Sequence, residues 1–155
     1  MSESEEIKEK NSSQLLKNKM SESTKQWTSI VDNLSFRIKG DIKDVIEVQA
    51  EAISYRQHVV EEIKTYSVKI YKLVQKMKVL TKQRFEYYAT GYQVKTSSAE
   101  KIKLIDADLS EHQELINELD AHVDFLRETS KNIDNVNYGI KNAIELTNFF
   151  GGKYK

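Results

Sequence analysis

The chain has 155 residues, no Cys, no Pro, 31% charged residues and a formal net charge of zero at pH 7. The absence of Cys excludes disulfides and thiolate metal sites, and no apolar run approaches the roughly 20 residues that a membrane-spanning helix needs. High charge with few Gly favours long helices over a sheet. The sequence therefore predicts a soluble, all-α protein of one domain.

The first predicted element is an N-terminal arm, residues 1 to 26, rich in Ser, Glu, Lys and Asn. This composition buries little apolar surface and predicts a disordered, acidic and polar segment. Residues 27 to 40, beginning at Trp27, are expected to form a short segment that docks on the main body. A single helical domain is expected over residues 27 to 152, followed by a basic tail at residues 153 to 155.

A first long helix is predicted over residues 42 to 88, with Asp41 as its cap. Its apolar residues recur at alternating intervals of three and four, which is the pattern of a coiled-coil seam. This stripe consists of Ile63, Tyr66, Ile70, Leu73, Met77, Leu80 and Tyr87. Arg84 occupies one seam position, where a purely structural helix would prefer an apolar residue. Such a cation either extends to solvent or faces a ligand at an assembly surface.

The connector that follows contains Gly91, which is expected to end the helix with a positive φ. Ser97 and Glu100 then have the spacing of a capping box. A second long helix is predicted over residues 98 to 148, with a heptad stripe along most of its length. So persistent a stripe predicts helical hairpins that assemble through coiled-coil-like seams into a homo-oligomer.

The predicted oligomer interface consists of apolar seam residues of this second helix. They are Ile116, Leu119, Val123, Leu126, Ile133, Ile140 and Ile144. Four seam positions are polar instead, namely His112, Ser130, Asn137 and Thr147. Polar seam residues either set register and oligomer state, or indicate that the seam is wet at those points.

The charges are unevenly distributed along the chain. Residues 64 to 103 carry ten Lys or Arg and two acids, whereas residues 104 to 130 carry eight acids and one Arg. Cations neutralise phosphates and Tyr rings stack on unpaired bases, so the basic stretch predicts a polyanion-binding face. The predicted DNA-binding residues are Lys72, Lys76, Lys78, Lys82, Arg84 and Tyr88. Tyr88 is preferred to Tyr87 for base stacking, because Tyr87 falls on the apolar seam.

Each charged stretch has a second interpretation. The basic helix is alternatively a solvated face beside a core Tyr. The acidic stretch is a solvated face, a docking surface for a basic partner, or the counter-charge of the basic helix. The three His lack the spacing of a metal site, and no motif presents a nucleophile or cradles a phosphate. The sequence thus predicts no enzymatic activity, no cofactor and no metal.

The segment from Lys82 to Gly91, with the sequence KQRFEYYATG, resembles the basic motif of the UvsY family, the recombination mediator proteins of tailed phages. That motif has the form Lys-x-Arg, apolar, acid, Tyr-Tyr, small residue, Gly. Downstream similarity includes residues 100 to 103, the acid-rich helix, residues 124 to 126 and residues 139 to 144. The resemblance covers about residues 41 to 152 and leaves the N-terminal arm as an extension.

The resemblance implies a non-enzymatic accessory factor in the cytoplasm of an infected bacterial host. Such proteins are all-helical homo-oligomeric rings, here a hexamer or heptamer. They bind single-stranded DNA, help displace the single-strand-binding protein and promote loading of the phage recombinase. Carried over to this chain, Lys82 and Arg84 would contact DNA, and the C-terminal helix would supply oligomer contacts.

Two other classes are compatible with the residues themselves. One is a structural coiled-coil scaffold or assembly protein that does not bind nucleic acid. The other is a membrane-surface adaptor that would place the Lys-rich helix on anionic lipids. Salt-sensitive binding to unpaired DNA, without binding to anionic vesicles, would separate the mediator from both.

Overall fold

The structure is a computed structural model that describes residues 3–38, 42–92, 94 and 96–151. These residues form four α-helices, α1 (Glu3–Arg37), α2 (Ile42–Glu86), α3 (Ser98–Asp108) and α4 (Ser110–Gly151), with a π-helical turn at Tyr87–Gly91. The described ranges contain no β-strand, and the predicted all-α class is confirmed. The predicted cap Asp41 and the basic tail lie outside the described residues.

The first predicted long helix corresponds to α2 and the second to α3 and α4, with a break at Leu109. The predicted capping box is confirmed: the Ser97 hydroxyl accepts from the backbone N–H of Glu100 at 3.3 Å, and the Glu100 carboxylate accepts from the backbone N–H of Ser97 at 2.7 Å. The bond that the carboxylate accepts from the Ser97 backbone N–H, followed by a hydrogen bond from the Ser97 side chain, holds the pKa of Glu100 below its ordinary value. Gly91 ends the π-helical turn as expected, but without a positive φ.

The chain divides into two compact units, a division that the sequence does not predict. Residues 1–63 and 124–155 form the first, which we call the three-helix unit because it holds α1, the first part of α2 and most of α4. Residues 64–123 form the second, which we call the hairpin unit; it holds the rest of α2, the π-helical turn, α3 and the start of α4.

The prediction of a disordered N-terminal arm is wrong, because helix α1 begins at Glu3 and includes the rest of that arm. The reason is a sparse heptad, Met20, Trp27 and Leu34, whose side chains are all buried. The Trp27 indole N–H donates to the Glu62 carboxylate at 2.7 Å, and the Ser23 hydroxyl donates to the same group at 2.6 Å. Near the end of α1, Arg37 donates to Glu51 at 2.7 Å. The pairings make α1 and α2 antiparallel.

The core of the three-helix unit is formed by apolar columns on facing helices. The buried residues that α2 and α4 contribute are Val45, Val48, Ala52, Val59, Leu126, Ile133, Val136 and Ile140. At the edge of this core, Arg56 Nε lies 2.6 Å from the Asp134 carboxylate. Burial of each Leu or Ile stabilises the fold by roughly 1.5–3 kcal/mol, so these columns hold the unit together.

The core of the hairpin unit is thinner on its α2 side. Tyr66 is buried and meets His122 edge-on at a ring distance of 4.7 Å. Beyond Tyr66, the predicted seam residues of α2 are only half-buried, namely Ile70, Leu73, Met77 and Leu80. At the far end, Tyr88, Ile105 and Leu109 form a small buried cluster.

The residues predicted as an oligomer interface are largely buried within one chain. Six are at most 5% exposed, Ile116, Leu119, Val123, Leu126, Ile133 and Ile140, and Ile144 is half-buried. A further heptad column beside them, which includes His122 and Thr129, is also buried. The buried face is therefore broader than a two-column seam and has the width of a globular helix. Their role between chains stays a prediction, but no second chain is needed to cover them.

Candidate nucleic-acid interface

The candidate interface lies on the part of α2 that belongs to the hairpin unit. Residues 64 to 85 contain seven cations and no acid. The cations are Lys64, Lys69, Lys72, Lys76, Lys78, Lys82 and Arg84. All are exposed except Lys69, which is half-buried beside the Tyr66 ring with its Nζ 4.7 Å from the ring centroid. So dense a set of exposed cations on one helix creates a strongly positive surface.

The predicted DNA-binding cations do not share one face of α2. Successive residues of an α-helix are about 100° apart. Lys72 and Lys76 therefore lie on one flank, whereas Lys78 and Lys82 lie on another. Arg84 follows the half-buried column of Met77 and Leu80 and lies on the inner face, toward α3. The structure thus brings these cations together as two pairs and one inward residue.

Lys82 is available for an anionic ligand. Its side chain is 79% exposed, and its one ion pair among the described residues is with Glu86 at 3.9 Å. Such an exposed pair, one helical turn apart, contributes only about 0.3–0.5 kcal/mol. A phosphate can therefore displace Glu86 at little cost.

Arg84 is held by an acid of α3. Its Nε lies 3.4 Å from an Asp108 carboxylate oxygen, and the Tyr88 hydroxyl donates to the same oxygen at 2.9 Å. That hydrogen bond raises the pKa of Tyr88, with burial and the Asp108 charge acting in the same direction. Since a guanidinium has five N–H donors, the contact through Nε leaves the terminal nitrogens for a ligand. At this point the acidic stretch does act as counter-charge to the basic helix.

The two adjacent tyrosines have the opposite burial to that predicted. Tyr88 is 9% exposed and lies in the small core, whereas Tyr87 is 47% exposed. The reason is the π-helical turn, which adds a residue per turn and moves the inward position from 87 to 88. A direct role for Tyr88 in DNA binding stays a prediction, and its ring is already packed against protein.

Three tyrosine rings cluster at this turn. Tyr88 lies 5.1 Å from both Tyr87 and Tyr92, and Tyr87 lies 6.0 Å from Tyr92, all in edge-on arrangements. A Cβ added at Gly91 would lie 3.3 Å from the Tyr87 ring, so glycine permits this packing. Tyr92 is 37% exposed. The predicted site includes neither Tyr92 nor Asp108. Their contacts with Tyr88 depend on tertiary structure and on the π turn, and such contacts leave no periodic pattern in the sequence.

Neither a metal-binding cluster nor a membrane span is present in the parts of the chain that the structure describes. No group of three or more His, Cys, Asp or Glu in those parts could hold a metal ion. Among the described helices, none has a stretch long and apolar enough to cross a membrane.

The fold and the site define a class: an all-helical protein in which an acid-free basic stretch of one helix, residues 64 to 85, carries exposed aromatic rings. The family model described as "Recombination, repair and ssDNA binding protein UvsY" matches residues 44–153. This match spans most of the chain, so the protein belongs to the UvsY family, and the resemblance seen in the segment from Lys82 to Gly91 is confirmed. No curated protein and no solved structure gives a significant match to the chain. Helix α1 precedes the matched residues.

Proposed function

We propose that this protein is a non-enzymatic recombination mediator. It binds single-stranded DNA through the hairpin unit and helps to load a phage recombinase onto strands covered by single-strand-binding protein, in the cytoplasm of the infected host. The observation that carries this proposal is the run of seven cations without an acid over residues 64 to 85, in a chain of a family described as ssDNA-binding.

The phosphate contacts come from the exposed cations of α2. Lys78 and Lys82 extend from one flank, and Lys72 and Lys76 extend from the other. Arg84 presents its terminal nitrogens beside Asp108. Each phosphate that a cation neutralises on a single strand contributes about −0.7 to the slope of log affinity against log salt. Binding should therefore weaken steeply as salt is raised.

A homo-oligomeric ring, a hexamer or heptamer, would multiply these contacts. Several moderate contacts on one assembly give a strand a high effective concentration at the next subunit. The resulting avidity can compete with a cooperative coat protein without hydrolysis of a nucleotide. This supports a mediator that works by binding alone.

The contacts between subunits require an apolar surface that one chain leaves open. Because the predicted seam on α4 is largely buried, we place these contacts on Ile46, Ile53 and Val60, three residues at heptad spacing on α2 that are 60%, 60% and 41% exposed. A column of apolar residues at this spacing is the pattern that helices use to pair. Replacing Ile46 and Ile53 by Lys should lower the particle mass and leave the chain helical.

The decisive test measures particle mass and single-strand binding in the same sample. We expect an oligomer whose affinity for single-stranded DNA falls with salt, exceeds that for duplex of equal length, and drops sharply once the strand is too short to reach a second subunit. A monomer, or equal affinity per site for short and long strands, would exclude the avidity mechanism. No binding at low salt would exclude DNA as the ligand and favour a scaffold.

Loading is tested separately with the two protein partners. On strands coated with single-strand-binding protein, the wild-type protein should restore assembly of the recombinase, and the variant Lys82→Ala with Arg84→Ala should restore much less. A mediator that restored assembly equally well without these cations would show that loading does not depend on the contact with DNA proposed here.

A further inference from the structure

The outward face of α2 in the hairpin unit carries cations and aromatic rings in alternation. Lys64, Tyr71, Lys78 and Phe85 follow one another at intervals of seven residues. Both rings project into solvent, with Tyr71 65% and Phe85 53% exposed, and both Lys are exposed as well. A seven-residue interval spans about 10 Å along a helix and returns to nearly the same side. The four side chains therefore form one stripe.

Lys82 extends this stripe on the same side, three residues before Phe85. No acid lies between Lys64 and Phe85, and Lys64 and Lys78 form no ion pair within the part of the chain that the structure describes. Two large, exposed aromatic rings on this basic stretch have no role in the core. Their exposure favours a ligand that offers both negative charge and flat apolar rings.

We propose that this stripe is the path of the single strand, with bases stacked on Tyr71 and Phe85 and phosphates held by Lys64, Lys78 and Lys82. Cations interleaved with aromatic rings are the arrangement by which proteins bind unpaired strands without sequence preference. This inference rests on the proposed function and adds two aromatic residues to it, neither of which belongs to the predicted set of DNA contacts.

The charge of the stripe argues against a second copy of the same surface as its occupant. A symmetric dimer would place identical patches against each other, and here that would bring Lys against Lys with no acid to compensate. A polyanion meets no such repulsion. The bases of a duplex are stacked on each other and cannot reach the rings, so the stripe also provides a physical reason for preferring single strands.

The test separates ring stacking from charge and from apolar contact. Tyr71→Ala and Phe85→Ala remove the rings, Tyr71→Phe and Phe85→Tyr keep them, and Phe85→Leu keeps apolar volume without an aromatic face. Tyr138→Ala is the matched control, since Tyr138 is 68% exposed and lies in the three-helix unit. Affinity is measured on oligothymidine and on an abasic strand of the same length, across a range of salt.

We expect each alanine variant to bind oligothymidine at least about fivefold more weakly, the lower bound for loss of one stacked base. Because every phosphate-binding cation is kept, the salt slope should not change. Phe85→Leu should behave like Phe85→Ala, and the ring-keeping variants and Tyr138→Ala should bind like the wild type. The abasic strand should bind the wild type about as weakly as oligothymidine binds a variant that carries both Tyr71→Ala and Phe85→Ala.

Other outcomes overturn the inference in distinguishable ways. Wild-type binding that depends on salt and on Lys82, but not on Tyr71, Phe85 or the presence of bases, would exclude the stacking path and leave the proposed function intact. If Phe85→Ala lowered the particle mass and Phe85→Leu did not, the stripe would be a surface between chains. Capture on anionic vesicles that needs both rings would make it a membrane surface. No wild-type binding to any strand would exclude both the stripe and the proposed function.

Discussion

The three-helix unit and the hairpin unit use the same helix, α2, in different ways. In the three-helix unit, α1 covers one side of α2, and Val48, Ala52 and Val59 are fully buried. In the hairpin unit, where the structure pairs α2 with α3 and the start of α4, Leu73, Met77 and Leu80 are only half-buried. The cations of α2 concentrate in this second unit, where fewer helices leave them accessible. With the function proposed above, stability and ligand binding belong to different stretches of one helix.

The outward face of α2 shows the same contrast. Its exposed residues at heptad spacing are Ile46, Ile53 and Val60 in the three-helix unit. In the hairpin unit a neighbouring heptad column, which begins four residues after Val60, carries Lys64, Tyr71, Lys78 and Phe85 instead. An aliphatic column suits a protein partner, whereas a mixture of cations and rings suits a nucleic acid. The chemistry of the exposed face therefore changes close to the boundary between the units.

The largest expected effect compares one substitution in the two units. Leu126→Ala, at a side chain with no exposed surface, should lower the free energy of unfolding by about 2–5 kcal/mol. Leu80→Ala, at a half-buried side chain, should lower it by about 1 kcal/mol. Denaturant titrations followed by circular dichroism measure both, with the exposed Leu146→Ala as control. Equal losses of stability at Leu126 and Leu80 would show that the two cores are equally well packed.

The docking of α1 is the next test. Trp27→Phe removes the indole N–H that donates to Glu62 at 2.7 Å, and the loss of this hydrogen bond to a half-buried carboxylate should lower stability by about 1–3 kcal/mol. Hydrogen exchange should accelerate along α1 more than in the hairpin unit. Leu15→Ala, at a 57% exposed position of the same helix, is the control. Uniformly faster exchange in both units would mean that α1 does not act locally.

The third test removes positive charge and leaves the packing of the core unchanged. Lys82→Ala with Arg84→Ala should weaken binding to single-stranded DNA by about tenfold, or 1.4 kcal/mol. The salt slope should flatten by about 0.7 for each phosphate that is no longer neutralised. Lys131→Ala with Lys141→Ala removes the same charge from the three-helix unit and should leave affinity nearly unchanged. If both double variants weaken binding equally, only net charge matters and the hairpin unit holds no defined site.

The smallest expected effect concerns the capping box at the start of α3. Ser97→Ala should lower stability by about 1 kcal/mol. Because the pKa of Glu100 is lower in the folded protein, its contribution is present above the ordinary Glu pKa and is lost as pH falls through the lower folded value. Glu100→Gln, which still accepts from Ser97, should keep the cap without that dependence. Amide exchange at the start of α3, followed against pH, measures both; an unchanged pH profile in Glu100→Gln would contradict this account.

The sequence predicts local features well and tertiary partners poorly. The cap formed by Ser97 and Glu100 depends on residues three apart, and its prediction is confirmed. The apolar periodicity of the second long helix identifies the buried face, with Leu119, Leu126 and Ile133 at its centre, but periodicity does not indicate what covers a face. The apolar stripe of this helix, which the sequence analysis attributes to contacts between chains, is in fact largely buried within one chain.

Two further differences have physical causes that composition conceals. The polar composition of residues 1 to 26 predicts disorder, yet α1 docks through the buried heptad of Met20, Trp27 and Leu34, with Glu62 accepting a hydrogen bond from Trp27. The tyrosine register shifts because α2 ends in a π turn rather than a regular one. Neither the acceptor on another helix nor the widened turn can be read from spacing along the chain.

The position of Trp27 has a practical consequence for spectroscopy. The chain has a single Trp, and it lies in the three-helix unit, so indole emission reports on that unit alone. In the hairpin unit, Tyr87, Tyr88 and Tyr92 lie 5.1 to 6.0 Å apart, close enough for their transitions to couple and to produce near-ultraviolet dichroism. A ligand that binds beside the tyrosines should alter the dichroism and leave the emission unchanged. Emission and dichroism together thus distinguish a change near the tyrosines from a change in the three-helix unit, without a label.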